Sequence, residues 1–167
     1  TFFYSSVNYL IAPYISSLYE QKNYKSLQNL LKISAITSTI FAVGILVLFS
    51  LFGQQLILFL FGSEYSAAYI PLIILCSGQV INVAAGSGGS LLNMTGYERI
   101  VAYSVSLSTI LNIVLNLILI PKFGMVGAAY TTVITFILWN YIIVIYAMRQ
   151  LKLKTSIFQF FGLINNG

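Results

Sequence analysis

The chain has 167 residues, of which 59 % are hydrophobic and 7 % charged, with a net charge of +5. Soluble domains carry about a quarter charged residues, and a water-facing surface on a chain of this size needs many more charges. Lipid is therefore the solvent for most of the chain. A nucleic-acid partner is excluded, because the eight Lys and Arg stand singly or in short clusters between apolar spans.

The elements follow in chain order. Phe2 to Leu18 is apolar with polar interruptions, bent at Pro13, and reads as the second half of a transmembrane helix. Glu20 to Lys25 is the first polar loop. Leu27 to Phe52 is a full crossing, which takes about 20 apolar residues. Gly53-Gln54-Gln55 is expected to interrupt it, leaving Leu56 to Phe61 as a short interfacial segment. Gly62 to Tyr65 is the second loop, and Ala67 to Met94 is expected to span with tilt. Thr95 to Arg99 is the third loop, and Ile100 to Ile120 crosses again.

The stretch Ile120 to Ala129 reads as a tight turn at a membrane surface. Pro121 cannot donate to the incoming helix and biases Ile120 away from helical geometry. Gly124 takes backbone angles that other residues avoid. Gly127, Ala128 and Ala129 then open a helix with little bulk, which lets a neighbour approach closely. Met125 to Met148 spans back, Arg149 to Lys154 is a basic loop, and Ile157 to Ile164 begins a further helix. The fold class is all-α, a polytopic transmembrane helix bundle with about four complete and two partial membrane helices. The chain opens at Thr1 within one apolar stretch and closes at Asn166-Gly167 soon after another begins. That predicts a piece of a longer membrane protein, cut at both ends, with 1–167 forming a single bundle.

Alternate loops put Lys22, Lys25, Lys32, Arg99, Arg149, Lys152 and Lys154 on one side and Lys122 on the other. Positive residues favour the cytoplasm, so the Glu64 and Pro121 loops are expected outside.

Catalysis has little material here. The only acids are Glu20, Glu64 and Glu98, all in or beside loops, and there is no His. Paired-carboxylate, triad and metal chemistry all lack residues, and no phosphate loop of the Gly-Lys-Ser type is present. The reading is a non-enzyme without cofactor or metal. Cys76 is the only cysteine and reads as a small packing residue.

The stronger signal is polar residues recurring inside the spans. Gly78, Asn82, Gly86, Gly89 and Asn93 follow at spacings of three or four and are expected to share a face. Gly86-Ser87-Gly88-Gly89-Ser90 reads as a helix-packing surface. In the next span, Ser104, Ser108, Asn112 and Asn116 recur every four residues. An amide facing lipid loses its hydrogen bonds to water, so both stripes should face other helices or a wet cavity. Two roles remain open for the stripes at this point: interhelical hydrogen bonding and close packing, or a hydrophilic substrate path with Asn82, Asn93, Ser104, Ser108, Asn112 and Asn116 as its candidates; Gly78, Gly86, Gly89 and Gly127 are read as packing positions. Tyr19, Tyr24, Tyr65, Tyr69, Tyr97, Tyr103 and Tyr146 form an interfacial belt, while Tyr130 and Trp139 lie deeper, to pack or to line a cavity.

Three pieces in the right order resemble the C-terminal half of the polysaccharide (O-antigen) flippases. They are Leu60-Phe61-Gly62-Ser63-Glu64-Tyr65 followed by Ala67-Ala68, then Leu91-Leu92-Asn93-Met94-Thr95-Gly96, and then Ile120 to Ala129 with Pro121, Gly124 and Gly127. The resemblance implies the multidrug/oligosaccharidyl-lipid/polysaccharide exporter superfamily. It implies one bundle of a two-bundle transporter, with the N-terminal bundle of the same protein as its partner. It also implies an undecaprenyl-pyrophosphate-linked oligosaccharide as cargo, moved by alternating access across the bacterial cytoplasmic (inner) membrane for O-antigen, capsule or exopolysaccharide synthesis. The alternatives are a drug or cation antiporter of the same superfamily and a membrane glycan polymerase or ligase.

Overall fold

The computed structural model describes residues 2–160, and these are largely helical with no strand among them. Helix α1 runs over Phe2–Glu20 and passes through Pro13. Helix α2 covers Tyr24–Phe61, capped by Asn23, whose side chain accepts from the Ser26 amide at 3.2 Å. A 3-10 turn, Ser63–Ala68, leads into α3, Tyr69–Ala84. Then come α4, Gly88–Met94, and α5, Glu98–Tyr146. A π-helical turn, Ala147–Leu151, and α6, Ile157–Phe160, follow. The rest of the helix expected to reach Ile164 lies outside the described residues.

Helix α2, the 3-10 turn with α3, and α5 with its π turn are long and apolar enough to cross a membrane. α5 is not straight. At Gly124 the backbone turns to φ 55° and ψ −133°, a region open to glycine and strained for other residues. The chain reverses there. Asn112 Nδ2 donates to Thr135 Oγ1 at 3.3 Å across the reversal, although 23 residues of straight helix would separate them by about 34 Å. Gly127 lies against the Leu119 carbonyl, where no Cβ fits. α5 is thus a hairpin with arms over 98–123 and 125–146. The turn forms at Gly124, whereas Ile120 and Pro121 remain within the helical run, contrary to the expected bias at Ile120. Pro121 stands in the last turn of the first arm, so the one backbone bond it removes, to the Leu117 carbonyl, falls at the end of that arm.

Two other expectations are corrected. α2 does not stop at Gly53-Gln54-Gln55. Glycine costs only about 1 kcal/mol against alanine in a helix, whereas each backbone group left unpaired in lipid costs several. Gly53 instead receives the ring of Tyr69, and the Tyr69 hydroxyl donates to the Ser50 carbonyl at 3.0 Å. Conversely, the single span expected from Ala67 to Met94 is broken at Ala85–Ser87. Gly86 adopts φ 76°, and a Cβ there would collide with the Thr155 carbonyl. Side chains from elsewhere satisfy the carbonyls that the break releases. Tyr4 Oη donates to Gly86 O at 2.7 Å, and Ser156 Oγ donates to Ala84 O at 3.1 Å. Ser34 and Ser87 hydroxyls meet at 3.2 Å. Irregular backbone at membrane depth is tolerated where protein covers it in this way.

The buried core gathers at one end: Ile15, Leu27, Leu31, Leu91, Leu92, Ile143, Ala147 and Leu153. Tyr97 and Tyr146 meet edge to face there, with ring centroids 5.5 Å apart. Gln28 ties α2 to the loop after α5, donating to Lys154 O and accepting from Lys154 N at 2.6 and 2.9 Å. Gln159 Oε1 accepts from the Thr155 and Ser156 amides, which caps α6 from within. This end therefore brings the loops carrying Lys22, Lys25, Arg99, Arg149, Lys152 and Lys154 together, with Lys122 at the opposite end beside the reversal.

Candidate functional site: a neutral polar cleft

The α5 hairpin creates the site. Its first arm is mostly apolar outward, with Leu107, Ile110 and Leu117 more than half exposed. Facing the second arm it presents Ser104, Ser108, Asn112 and Asn116, one per turn. The second arm answers with Thr131, Thr132, Thr135 and Trp139. Between the arms lies a cleft of about 340 Å³ lined by Ser108, Thr109, Asn112, Thr132, Thr135 and Trp139, with Val105 and Phe136. No charged side chain lines it.

The polar groups along the two arms divide into tied and untied. Thr131 and Thr132 donate to carbonyls four residues back, at 3.0 Å each. Thr135 Oγ1 bonds back to Thr131 O and Thr132 O and accepts from Asn112. Asn116 Nδ2 donates to Asn112 Oδ1 at 2.8 Å, so the two amides form a ladder along the first arm. Ser104 is spent on the Ile100 carbonyl at 2.7 Å. In contrast, the Ser108 hydroxyl, Asn116 Oδ1 and the Trp139 indole N–H are buried without a hydrogen-bond partner among the described residues. A buried polar atom without a partner costs about 1–3 kcal/mol. Of the three, the Ser108 hydroxyl and the Trp139 N–H belong to residues that line the cleft, whereas Asn116 lies beyond its lining.

The first polar stripe is not gathered into this cleft. Because α3 and α4 are separate helices, the face expected to run from Gly78 to Asn93 is interrupted. Gly78 packs against Val133 of the second arm. Asn82 accepts from Asn140 Nδ2 at 2.7 Å, and the same nitrogen donates to Phe136 O at 2.8 Å. Gly86 makes the break. Gly89 is half-buried, and a Cβ there would meet only Ile143 Cδ1, at 3.8 Å, whereas a Cβ on Gly88 would come to 2.7 Å from Ile143 Cγ2, which makes Gly88 the tighter position. Asn93 is exposed and lines a separate shallow recess with Ser5, Asn8 and Ser90. Pro121, Gly124 and Gly127 all belong to the reversal. Tyr130 is half exposed and outside the cleft lining. Glu20, Glu64 and Glu98 lie at helix ends or in the 3-10 turn, all exposed.

Sequence reading passed over Thr132, Thr135 and Asn140. The signal for the two threonines was present: 128, 132, 135 and 139 step by three or four, like the stripe they face. Threonine attracts little notice in an apolar run because it can bond to its own helix, as it does here.

The MatE family matches residues 1–118. The chain belongs to the MatE family. Among curated relatives of this MatE chain, a membrane protein of Methanocaldococcus jannaschii is 31 % identical over 83 % of the chain. A probable low-salt glycan biosynthesis flippase of Haloferax volcanii, Agl15, is 30 % identical over 80 %. The capsular polysaccharide biosynthesis protein CapF of Staphylococcus aureus is 28 % identical over 80 %. The chain spans 28 % of the length of the first two and 34 % of the third. No solved structure gives a significant match.

Proposed function

We propose that the chain forms one bundle of a transporter that moves lipid-linked oligosaccharide across the cytoplasmic membrane. One observation carries this reading. A membrane hairpin of a MatE protein holds a neutral polar cleft with unsatisfied hydrogen-bonding atoms. Relatives named for glycan flipping and capsule synthesis support the cargo class.

The chemistry suits sugars. A saccharide leaving water must replace its hydrogen bonds, and hydroxyls and amides do so at a net of about 0.5–1.5 kcal/mol each. Several such bonds hold a cargo without trapping it. The pyrophosphate of an undecaprenyl-linked carrier needs cationic partners, and none lines the cleft. The remainder of the full-length protein, including an N-terminal bundle, supplies them. Rocking of one bundle against the other then exposes the cleft to each side in turn. The end that gathers the basic loops faces the cytoplasm. In bacteria the site of action is the inner membrane and the products are O-antigen, capsule or exopolysaccharide.

The test is transport by the full-length protein carrying Asn112→Leu with Asn116→Leu. Transport of lipid-linked sugar should fall while membrane insertion and folded yield are kept. Lower yield with unchanged transport per folded molecule contradicts a role in the path.

A further inference from the structure

A second chamber of about 340 Å³ lies between α2 and α3, partly open and bordered by Tyr4 of α1. Most of its lining is apolar, with Phe41, Ala42, Ile45, Leu75 and Val83. Ser38, Gln79, Cys76 and Tyr4 contribute to its wall, and Phe136 of the second arm of α5 closes one side. The Ser38 hydroxyl is 2 % exposed as a residue and has no hydrogen-bond partner among the described residues. Gln79 Nε2 is likewise buried and unpartnered. The chamber therefore holds at least one donor, and one hydroxyl that can donate or accept, aimed at nothing in the protein.

Phe136 is the one side chain that lines both spaces. Its backbone is fixed, because Asn140 Nδ2 donates both to Phe136 O and to Asn82 Oδ1. The aromatic ring is left as a partition. Ser108 and Trp139 offer unsatisfied groups on one side of it, and Ser38 and Gln79 offer them on the other.

We infer that the α2–α3 chamber is a second binding site, for a neutral hydroxyl-bearing ligand about the size of one sugar unit, joined to the α5 cleft by rotation of Phe136. The size follows from volume. Ligand pockets begin at about 300 Å³, and 340 Å³ is the space of about eleven waters at roughly 30 Å³ each. The ligand is neutral because every polar wall group is a hydroxyl, an amide or a thiol, which leaves no counter-charge for an ion in a low-dielectric site. The inference rests on the saccharide reading for its choice of ligand class, but the chamber and its partition stand on geometry alone.

Cys76 reports on the chamber directly. In the full-length protein in membranes, its reaction with a small neutral water-soluble thiosulfonate reagent is followed by mass spectrometry of the Cys76 peptide. Phe136→Ala should speed the reaction several-fold over the parent, and Phe136→Trp should slow it, at equal folded yield. N-acetylglucosamine, as the probe sugar, should slow it in Phe136→Ala, and Ser38→Ala with Gln79→Leu should abolish that protection. A rate independent of residue 136 overturns the partition. Labelling that responds to residue 136 without protection by the sugar overturns the ligand assignment. Neither result depends on transport, so the failure of this site is distinguishable from failure of the transport reading.

Discussion

Replacing Gly127 by alanine tests the hairpin at its tightest point. A Cβ at this position meets the Leu119 carbonyl carbon at 2.7 Å and the Ile120 nitrogen at 3.2 Å, besides the Leu119 oxygen. These are backbone atoms on the opposite arm, close to the reversal at Gly124, so they cannot swing aside as a side chain can. Overpacking of this kind costs about 1–3 kcal/mol, and a backbone obstacle favours the upper part of that range. Alanine returns at most about 1 kcal/mol of helix propensity. The net expectation is a loss of about 2 kcal/mol, more than a tenfold change in the folded ratio. Gly44→Ala is the control. It lies mid-α2 with nothing within 4 Å of an added methyl, and should be neutral or stabilising by up to about 1 kcal/mol. The assay is the monodisperse fraction of the detergent-purified full-length protein after stepwise heating. Equal heat resistance in the two variants refutes the close contact between the arms.

Cysteines placed at Ser63 or Lys122 should label from outside with an impermeant reagent, and cysteines at Asn23 or Gln150 should not. The reverse pattern overturns the orientation drawn from the basic end. The Asn82–Asn140 bond should give a coupling near 0.6 kcal/mol, the average for interhelical polar contacts in membranes, in a double-mutant cycle of Asn82→Leu and Asn140→Leu. The single change Asn140→Leu should cost more than the double change relative to its packing loss, because it strands Asn82 Oδ1. Additive effects of the two changes contradict the bond.

The hairpin at Gly124 and the gathering of basic loops at one end were legible in the sequence. Each depends on local chemistry: a glycine free to turn the backbone between two apolar runs, and charges that cannot enter lipid. The break at Ala85–Ser87 was not legible, although Gly86 stands in plain view. A glycine permits a break, but its cost in lipid is set by whether distant groups satisfy the freed carbonyls. Tyr4 and Ser156 do so at Gly86 and Ala84, from positions 82 and 72 residues away in the chain. At Gly53 the helical ladder was kept and α2 ran on. The polar stripe of the first α5 arm was readable from its spacing, whereas its partners Thr132 and Thr135 were hidden in a run that reads as ordinary membrane helix. Trp139 was noticed as deep, but only the reversal brings it opposite Ser108.

The most direct measurement of the central claim is water access to the α5 cleft and to the polar stripe that runs on from it. Single cysteines at Asn112 and Asn116 in the full-length protein, with Cys76 replaced by alanine, are exposed to a charged thiosulfonate reagent. If the cleft forms part of a translocation path, both positions react, and an excess of lipid-linked oligosaccharide slows them. A cysteine at Leu117, 73 % exposed on the outer face of the same arm, should stay unreactive in lipid. Complete protection of residues 112 and 116 in both inward- and outward-facing states would contradict the account and leave the stripe as helix packing.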